Sequence, residues 1–329
     1  MSLPETYKVV RSNPGGDPTV VEIPLPKPSE NQVLVKVEFA PINPTDLLRM
    51  RGFYGNLSEE QAHLQGSEGS GIVIAIGANL KFPLKVGDRV HVVGPGTFGQ
   101  YLLAKSQNCF PIQHNDLSFE EAASHMVNPA TVYYMGIVAD NGKHKTVIHT
   151  AGSSALGRML MRYFKQKGIK LINIVRREEY VEELLENGAD YVLNSQAPDF
   201  EEKLKEIAEK ENATLAFDAI GGDFTNKVLK AQPPNSTCHI YGALSGNDIK
   251  GISIMELFKS KTIAPLFLPL YTKTLNEEQY REFVTKAHEL LPTVFKSNVQ
   301  KVFKIDDIKE ALAYYHENSS KGKILIKPN

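Results

Sequence analysis

The chain has 329 residues, of which 42% are hydrophobic and 23% charged, so it is long enough for two domains with sizeable cores and too apolar for disorder. Its net charge is −1, and no run of basic residues alternates with aromatic ones, which argues against partners such as nucleic acid or an anionic membrane. No apolar stretch approaches the roughly 20 residues that cross a bilayer, and no signal-peptide core follows the N-terminus, so we expect a cytoplasmic protein.

Short strands separated by turns rich in Gly, Pro and Asn dominate the first part of the chain, up to about residue 120. Alternating or β-branched residues predict strands at Val33–Phe39, Gly71–Ile76, Arg89–Val93 and Gln100–Ala104. This pattern is typical of an antiparallel, barrel-like module.

Strands then alternate with helices from about residue 126 to 268, which indicates a parallel sheet with crossover helices. The predicted strands are 147–150, 169–175, 191–193, 215–219, 236–241 and 263–268, and the predicted helices are 156–167, 178–187, 200–210 and 225–231. Pro265 interrupts the last strand, so we expect that strand at an edge of the sheet. From about residue 270 onward, the sequence predicts one long helix, a second helix at Ile305–His316 and a closing strand at Lys323–Ile326.

The segment from Val147 to Arg176 is the most informative. Its turn, 152–157, is a G-x-G-x-x-G dinucleotide loop with serine at the middle glycine. Small residues allow the amide N–H groups at the helix start to approach a pyrophosphate, which the helix dipole also attracts. We therefore expect all six loop residues to bind a cofactor: Gly152, Ser153, Ser154, Ala155, Leu156 and Gly157.

Two arginines follow the second strand of this segment. Arg176 stands nineteen residues past Gly157, where an NAD-specific site would carry an acid. Because a guanidinium pairs bidentately with phosphate, Arg176 and Arg177 fit the 2′-phosphate of NADPH, and NADPH (NADP) is the expected cofactor. The alternative is that the two arginines are ordinary solvated surface residues.

The order of these parts resembles the medium-chain dehydrogenase/reductase superfamily over nearly the whole chain. The likeness lies in G-S-E-G-S-G at 66–71, V-G-D-R-V at 86–90, the nucleotide loop and G-K-I at 322–324. It implies an α/β fold with a doubly wound parallel Rossmann domain at 126–269. It also implies a GroES-like, mostly antiparallel β-barrel catalytic domain at 1–125, completed by 270–329.

Zinc-dependent members of that superfamily carry a cysteine before an x-x-D step and a histidine inside a G-H-E-G step. This chain has Asn43 and Ser67 at those positions, and neither is a good zinc ligand. Cys109 and Cys238 lie too far apart for a C-x-x-C site, so we expect no metal. Four histidines are interpreted as core or surface residues: His63, His91, His125 and His149.

The segments P-I-N-P-T-D at 41–46 and R-G-F-Y-G at 51–55 look like those of zinc-free quinone oxidoreductases and 2-enoyl thioester reductases. The resemblance implies hydride transfer from NADPH to an activated double bond. Tyr54 is then the expected catalytic acid, because a phenol stays protonated at neutral pH and needs no metal. Asn43 would orient the nicotinamide ribose or the substrate carbonyl, while Asp46 more simply caps the following helix. Further cofactor contacts are expected at Thr131, Gly221, Tyr241, Phe267 and Leu268.

Three functions remain open from the sequence. The first is an NADPH-dependent reductase of quinones or α,β-unsaturated carbonyls, and the second is the narrower trans-2-enoyl-CoA/ACP thioester reductase. The chain has no tryptophan, whereas thioester reductases carry tryptophan-containing segments just past 263–270, so the broader function comes first. The third is an NADPH-binding protein without turnover.

The unpaired backbone groups of the edge strand also predict a homodimer through the Rossmann sheet edge.

Overall fold

A computed structural model describes residues 3–52 and 63–329. The chain divides into two compact units, one formed by Met1–Ala130 with Glu277–Asn329 and the other by Thr131–Asn276. Among the described residues, no helix is long and apolar enough to span a membrane.

The N-terminal part consists mainly of strands, as the turn-rich sequence predicts. In chain order it contains β1 Thr6–Arg11, β2 Thr19–Pro24, β3 Gln32–Pro41, α1 Pro44–Met50, β4 Glu68–Ile76, β5 Arg89–Val93, β6 Tyr101–Lys105, β7 Cys109–Pro111 and α2 Phe119–Ala123. All four predicted strands are present, and β5 has the predicted bounds.

The central part alternates helices and strands. It contains α3 Val127–Asn141, β8 Thr146–His149, α4 Ala155–Lys167, β9 Lys170–Val175, α5 Glu179–Glu186, β10 Tyr191–Asn194, α6 Phe200–Lys210, β11 Leu215–Asp218, α7 Asp223–Ala231, β12 Thr237–Ile240, α8 Ile254–Phe258, β13 Thr262–Pro265 and α9 Leu268–Lys273. Gly168 ends α4 in the left-handed conformation, with φ +66°, which a residue without a Cβ adopts at little cost.

These six central strands form one parallel sheet in the order β10-β9-β8-β11-β12-β13. The strand order reverses at β8, as in a doubly wound Rossmann sheet. Because β8 and β11 are parallel, the loops that follow them leave the same carboxyl edge of the sheet. Ile148, Ile172 and Ile174 belong to a buried core on one face, together with residues of α6 and α7. The predicted Rossmann fold is confirmed.

The predicted last strand, 263–268, is too long. β13 ends at Pro265 and lies at the sheet edge, as expected, but Leu268 already begins α9 and Phe267 is its N-cap. Pro269 explains the change, because its fixed φ and missing N–H suit the first turn of a helix and not a paired strand.

The tail returns to the first unit. It contains α10 Glu277–Glu289, β14 Val299–Lys304, α11 Ile308–Asn318 and β15 Lys323–Lys327, of which β14 was not predicted. A seven-stranded sheet has the order β14-β15-β3-β4-β5-β7, with β6 also paired to β3. Its ladders are antiparallel except β14 with β15, so the mostly antiparallel module is confirmed.

Candidate functional site

The predicted dinucleotide loop connects β8 to the N-terminus of α4. Ser154 is the N-cap of α4, and its Oγ accepts a hydrogen bond of 3.0 Å from the amide of Gly157. A Cβ at Gly157 would lie 2.8 Å from the carbonyl oxygen of Ala151 and closer still to that of Gly152. The helix therefore packs on the loop backbone at a distance that only glycine allows.

Three amides at this loop are left open. Among the described residues, the N–H groups of Ser153, Ala155 and Leu156 have no hydrogen-bond acceptor. They lie at the positive end of a 13-residue helix, where an anion is stabilised by both the unpaired donors and the helix dipole. A cofactor pyrophosphate fits this position.

The two arginines after β9 differ in their surroundings. Arg177 donates to the Tyr180 hydroxyl, lies over its ring at 4.6 Å and forms an ion pair with Glu179 at 3.4 Å. Arg176 is exposed and has no ion pair or hydrogen bond within residues 3–52 and 63–329. Of the two, Arg176 therefore has the guanidinium that is available to a phosphate.

A buried aspartate organises the neighbouring turn. Asp218 ends β11 and accepts hydrogen bonds from Thr150 (2.8 Å), Thr225 (2.6 Å) and the amides of Ile220 (2.8 Å) and Gly221 (3.2 Å). Gly221 has φ +73°, which explains a glycine there, but its amide is already used by Asp218. Sequence reasoning missed Thr150 and Asp218; the available signal was an acid at the end of an apolar strand, three residues before a pair of glycines.

Tyr241 follows β12 at the same edge of the sheet and contacts the last residue of β8. Its Oη lies 2.7 Å from Nε2 of His149, and the two rings are stacked with an interplanar angle of 15°. Burial lowers the pKa of His149 to about 3 and raises the pKa of the Tyr241 phenol. Both groups are therefore neutral near pH 7, and His149 is a core residue, as expected.

The remaining predicted cofactor contacts lie on two helices. Thr131 is half-buried near the start of α3, and Phe267 and Leu268 stand at the start of α9. Tyr134 and Tyr271, each three residues further along its helix, stack at 4.0 Å. This stack joins the middle of α3 to α9 within the second unit.

Asn43, the other predicted catalytic residue, is completely buried. Its Oδ1 accepts from the ammonium of Lys323, and its Nδ2 donates to Oε1 of Glu68 at 2.8 Å. Its backbone N–H donates to Asp46 Oδ2 at 2.8 Å, and Ser67 donates to Asp46 Oδ1 at 2.5 Å. Burial raises the pKa of Asp46 to about 6.

Glu68 connects this network to the start of α3. Its Oε2 accepts from the amides of His125, Met126 and Val127, at 2.9, 2.6 and 3.2 Å. We call Asn43, Asp46, Ser67, Glu68 and Lys323 the closed network, because their side chains bind one another or adjacent backbone. In the sequence, Gly322-Lys323-Ile324 indicates only a family likeness, and no local pattern predicts the burial of Lys323.

The closed network does not fit a catalytic zinc ion. The positions that supply thiolate and imidazole in zinc-dependent relatives are an amide and a hydroxyl here, and both are engaged with protein groups. The Lys323 ammonium also brings a positive charge to Asn43. Within the described ranges, no group of three or more His, Cys, Asp or Glu side chains is arranged to hold a metal ion. Tyr54 lies outside the described residues.

Three buried histidines form a second cluster in the first unit. His91 Nδ1 bonds to the carbonyl of Ala122 (2.9 Å), His125 Nε2 bonds to the carbonyl of Val92 (3.1 Å), and His125 Nδ1 lies 3.0 Å from Nε2 of His288. Since a carbonyl only accepts, His125 carries its proton on Nε2 and accepts from His288. Burial lowers the pKa of all three, to about 4 for His125.

Two sequence families match this chain. One, described as "Alcohol dehydrogenase GroES-like domain", matches residues 29–114, and the other, described as "Zinc-binding dehydrogenase", matches residues 155–287. The second range contains neither Asn43 nor Ser67, so that match carries no information about a zinc site.

Curated relatives include mitochondrial enoyl-[acyl-carrier-protein] reductases. The enzyme of Caenorhabditis elegans is 38% identical over 229 residues, which are 67% of this chain and 63% of that enzyme. The enzyme of Rattus norvegicus is 28% identical over 280 residues, 82% of this chain and 74% of the enzyme. This chain thus spans less than two thirds of the length of the worm enzyme.

Solved structures match over the full length. A putative NADPH:quinone reductase from Mesorhizobium loti has 27% identity and a TM-score of 0.84, with 100% of both chains covered. The Escherichia coli quinone oxidoreductase in complex with NADPH has 23% identity and a TM-score of 0.84, with 98% of this chain and 99% of that chain covered. The second likeness extends to the fold alone.

Proposed function

Because this chain belongs to the medium-chain dehydrogenase/reductase superfamily, in the branch of the quinone oxidoreductases and enoyl thioester reductases, we propose that it is an NADPH-dependent reductase. Its substrate is a small molecule with an activated double bond, either a quinone or an α,β-unsaturated carbonyl compound. The observation that carries the proposal is the carboxyl edge of the parallel sheet, where open amides and a free guanidinium stand at adjacent strand ends.

Different residues of this edge would bind different parts of the cofactor. The amides of Ser153, Ala155 and Leu156 hold the pyrophosphate, and Gly157 allows the helix to approach it. Arg176 pairs with the 2′-phosphate, which distinguishes NADPH from NADH. Gly221, Tyr241, Thr131, Phe267 and Leu268 remain proposed contacts, and Arg177 is the weaker phosphate ligand because Tyr180 and Glu179 already engage it.

When bound, NADPH would supply a hydride to the electrophilic carbon of the substrate double bond, which the substrate carbonyl polarises without a metal. Tyr54 remains the proposed donor of the proton that completes the reduction. We expect Tyr54→Phe to lower kcat with little change in NADPH affinity, and an unaltered turnover number would remove Tyr54 from the chemistry. Asn43 stays a proposed residue for orienting the nicotinamide ribose or the substrate carbonyl, although it is buried and its amide is engaged by Lys323 and Glu68.

A substrate panel tests the proposal. NADPH oxidation is followed with a benzoquinone, an alkenal and crotonyl-CoA, with NADH as the matched cofactor control. The proposal expects turnover of a quinone or alkenal that is faster with NADPH than with NADH. NADPH binding without oxidation of any acceptor would support a non-enzymatic NADPH-binding protein instead.

The second candidate is a trans-2-enoyl-CoA/ACP thioester reductase. It is favoured by the 38% identity with a relative named as an enoyl-[acyl-carrier-protein] reductase. Turnover of crotonyl-CoA in the same panel, with no activity on the quinone or alkenal, would select this narrower function and reject the broader one.

We also propose a homodimer through the edge strand β13. The preceding helix, α8, exposes an apolar surface in which Phe258 is 73% and Ile254 61% accessible. Glu256 holds the helix from its other side through Lys261, whose ammonium also donates to the carbonyl of Leu229. Sedimentation at micromolar concentration is expected to show a dimer, and a purely monomeric species would reject this assembly.

The proposed location is the cytoplasm. The relatives named as mitochondrial provide the alternative. Cell fractionation with cytoplasmic and mitochondrial markers distinguishes the two locations.

A further inference from the structure

His149 and Tyr241 form a buried pair beside the nucleotide loop. His149 is the last residue of β8 and stands three residues before Gly152, the first residue of the loop. Tyr241 is the first residue after β12. The two side chains cross β11, which lies between these strands, to make the 2.7 Å contact between Nε2 and Oη. The pair therefore lies at the edge of the sheet to which the proposed function assigns the cofactor.

The protonation of the pair is restricted by burial. Both groups are neutral near pH 7, because burial lowers the pKa of His149 and raises that of Tyr241. A neutral imidazole has one N–H and one bare nitrogen. Either the Tyr241 hydroxyl donates to a bare Nε2, or an Nε2–H donates to the Tyr241 oxygen.

The other ring nitrogen favours the second arrangement. Nδ1 of His149 is buried and has no hydrogen-bond partner among the residues that the structure describes. If Tyr241 donated, Nδ1 would carry a buried N–H without an acceptor, and such orphaned donors are rarer in proteins than unused acceptors. Free neutral imidazole also prefers its proton on Nε2. The Nε2–H tautomer satisfies both conditions.

This tautomer changes what Tyr241 can do. When Nε2–H donates to the phenol oxygen, the Tyr241 hydroxyl proton points away from His149. Among the residues that the structure describes, the Tyr241 hydroxyl has no hydrogen-bond partner other than His149, so its outward O–H lacks an acceptor until a ligand supplies one. The phenol therefore becomes a donor with a fixed direction at the end of β12.

We propose that His149 is a positioning residue of the cofactor site, which donates from Nε2 to Tyr241 and so directs the Tyr241 hydroxyl proton toward a phosphate, ribose or carboxamide oxygen of the bound dinucleotide. This inference rests on the proposed NADPH function and extends it to a residue that makes no contact with the cofactor itself. His149 acts through the orientation of Tyr241.

The tautomer is measured first, on the protein without cofactor. Nitrogen-15 labelling of histidine, with two-bond proton–nitrogen correlation spectra, distinguishes a protonated Nε2 from a protonated Nδ1. The His149 signals are assigned by their loss in His149→Gln. We expect the proton on Nε2, and a proton on Nδ1 would overturn the inference whatever the enzyme does.

The second measurement is the NADPH dissociation constant of four variants, each checked for an intact thermal unfolding transition. We expect Tyr241→Phe and His149→Phe each to weaken binding by about two- to tenfold, the range for one neutral hydrogen bond. The double variant should bind no more weakly than Tyr241→Phe. His149→Gln should stay within about twofold of the unaltered protein, since its amide N–H donates from the position of Nε2.

The outcomes separate this inference from the proposed function. Unchanged affinity in His149→Phe, or additive losses in the double variant, would overturn the positioning role while NADPH binding itself stands. An unaltered protein that binds no NADPH would overturn the proposed function and the positioning role together. His149→Gln and Tyr241→Phe keep the size of the side chains, so the test remains if His149→Phe does not fold.

Discussion

The carboxyl edge of the parallel sheet and the closed network around Asn43 differ in whether their polar groups have hydrogen-bond partners within the protein. At the sheet edge, the amides of Ser153, Ala155 and Leu156 and the guanidinium of Arg176 have no partner among the described residues. In the closed network, every charged group is buried and engaged by another protein group. Open donors at a surface indicate a binding site, whereas satisfied buried charges indicate a scaffold.

The largest effect should come from breaking the closed network. Lys323→Met removes the buried cation and leaves Glu68 and Asp46 with less compensation, so we expect the free energy of unfolding to fall by about 3–5 kcal/mol. Urea unfolding measures it. Lys321→Met, two residues away on the exposed surface, is the matched control and should stay within about 0.5 kcal/mol. Equal effects of the two variants would show that Lys323 is not part of a scaffold.

The next effect is acid destabilisation through His91, His125 and His288. Their pKa values are lowered in the folded state, so the stability they contribute is complete above the unfolded value of 6.5 and is lost as the pH falls toward about 4 for His125. Asp46 has the opposite effect. Its pKa is raised to about 6, so the folded state takes up this proton before the unfolded state does and gains stability as the pH falls.

His149, whose pKa is lowered to about 3, adds a fourth buried histidine. Four histidines against one carboxyl predict a net loss of roughly 4 kcal/mol between pH 7.5 and 5.5, because each group contributes about 1.4 kcal/mol per pH unit below its unfolded pKa. Urea unfolding at the two pH values measures it. His288→Gln should make the dependence shallower by roughly a third. A stability that is constant or rises toward pH 5.5 would contradict the buried neutral cluster.

A smaller effect is expected at the open edge. In Gly157→Ala the new methyl group would overlap the loop carbonyls, which costs about 1–3 kcal/mol of packing and weakens NADPH binding about tenfold or more. Gly94→Ala is the control, because a Cβ there would meet Leu102 at an ordinary 3.7 Å. Equal NADPH affinity in the two variants would remove the loop from the cofactor site.

The sequence predicted the parts of the fold that local patterns encode. Strand and helix alternation in the central unit follows from buried residues such as Ile148 and Ile172, and the predicted helix 156–167 corresponds to α4, which ends at the predicted residue. The resemblance to the superfamily is also confirmed. β14 was not predicted because apolar and polar residues alternate only weakly in its sequence, V-Q-K-V-F-K. The segment is a strand because it pairs with β15.

The closed network escaped prediction for a different reason. Lys323 and Asn43 are 280 positions apart in the chain, and no local pattern in either segment shows that an ammonium will be buried against an amide. The same holds for His149 and Tyr241, which β11 separates. Tyr54 stays a prediction, as do the cofactor contacts at the ends of the strands, because their roles depend on a ligand.

The most direct test is the affinity of the unaltered chain and of Arg176→Asp for NADPH and NADH, measured by titration calorimetry, with Arg177→Asp as the matched control. We expect the unaltered chain to prefer NADPH. Arg176→Asp should weaken NADPH binding by roughly tenfold to a hundredfold, the range for a charge-assisted hydrogen bond, with little change for NADH and a smaller effect in Arg177→Asp. Equal losses for both cofactors in Arg176→Asp, or no preference for NADPH in the unaltered chain, would contradict the account.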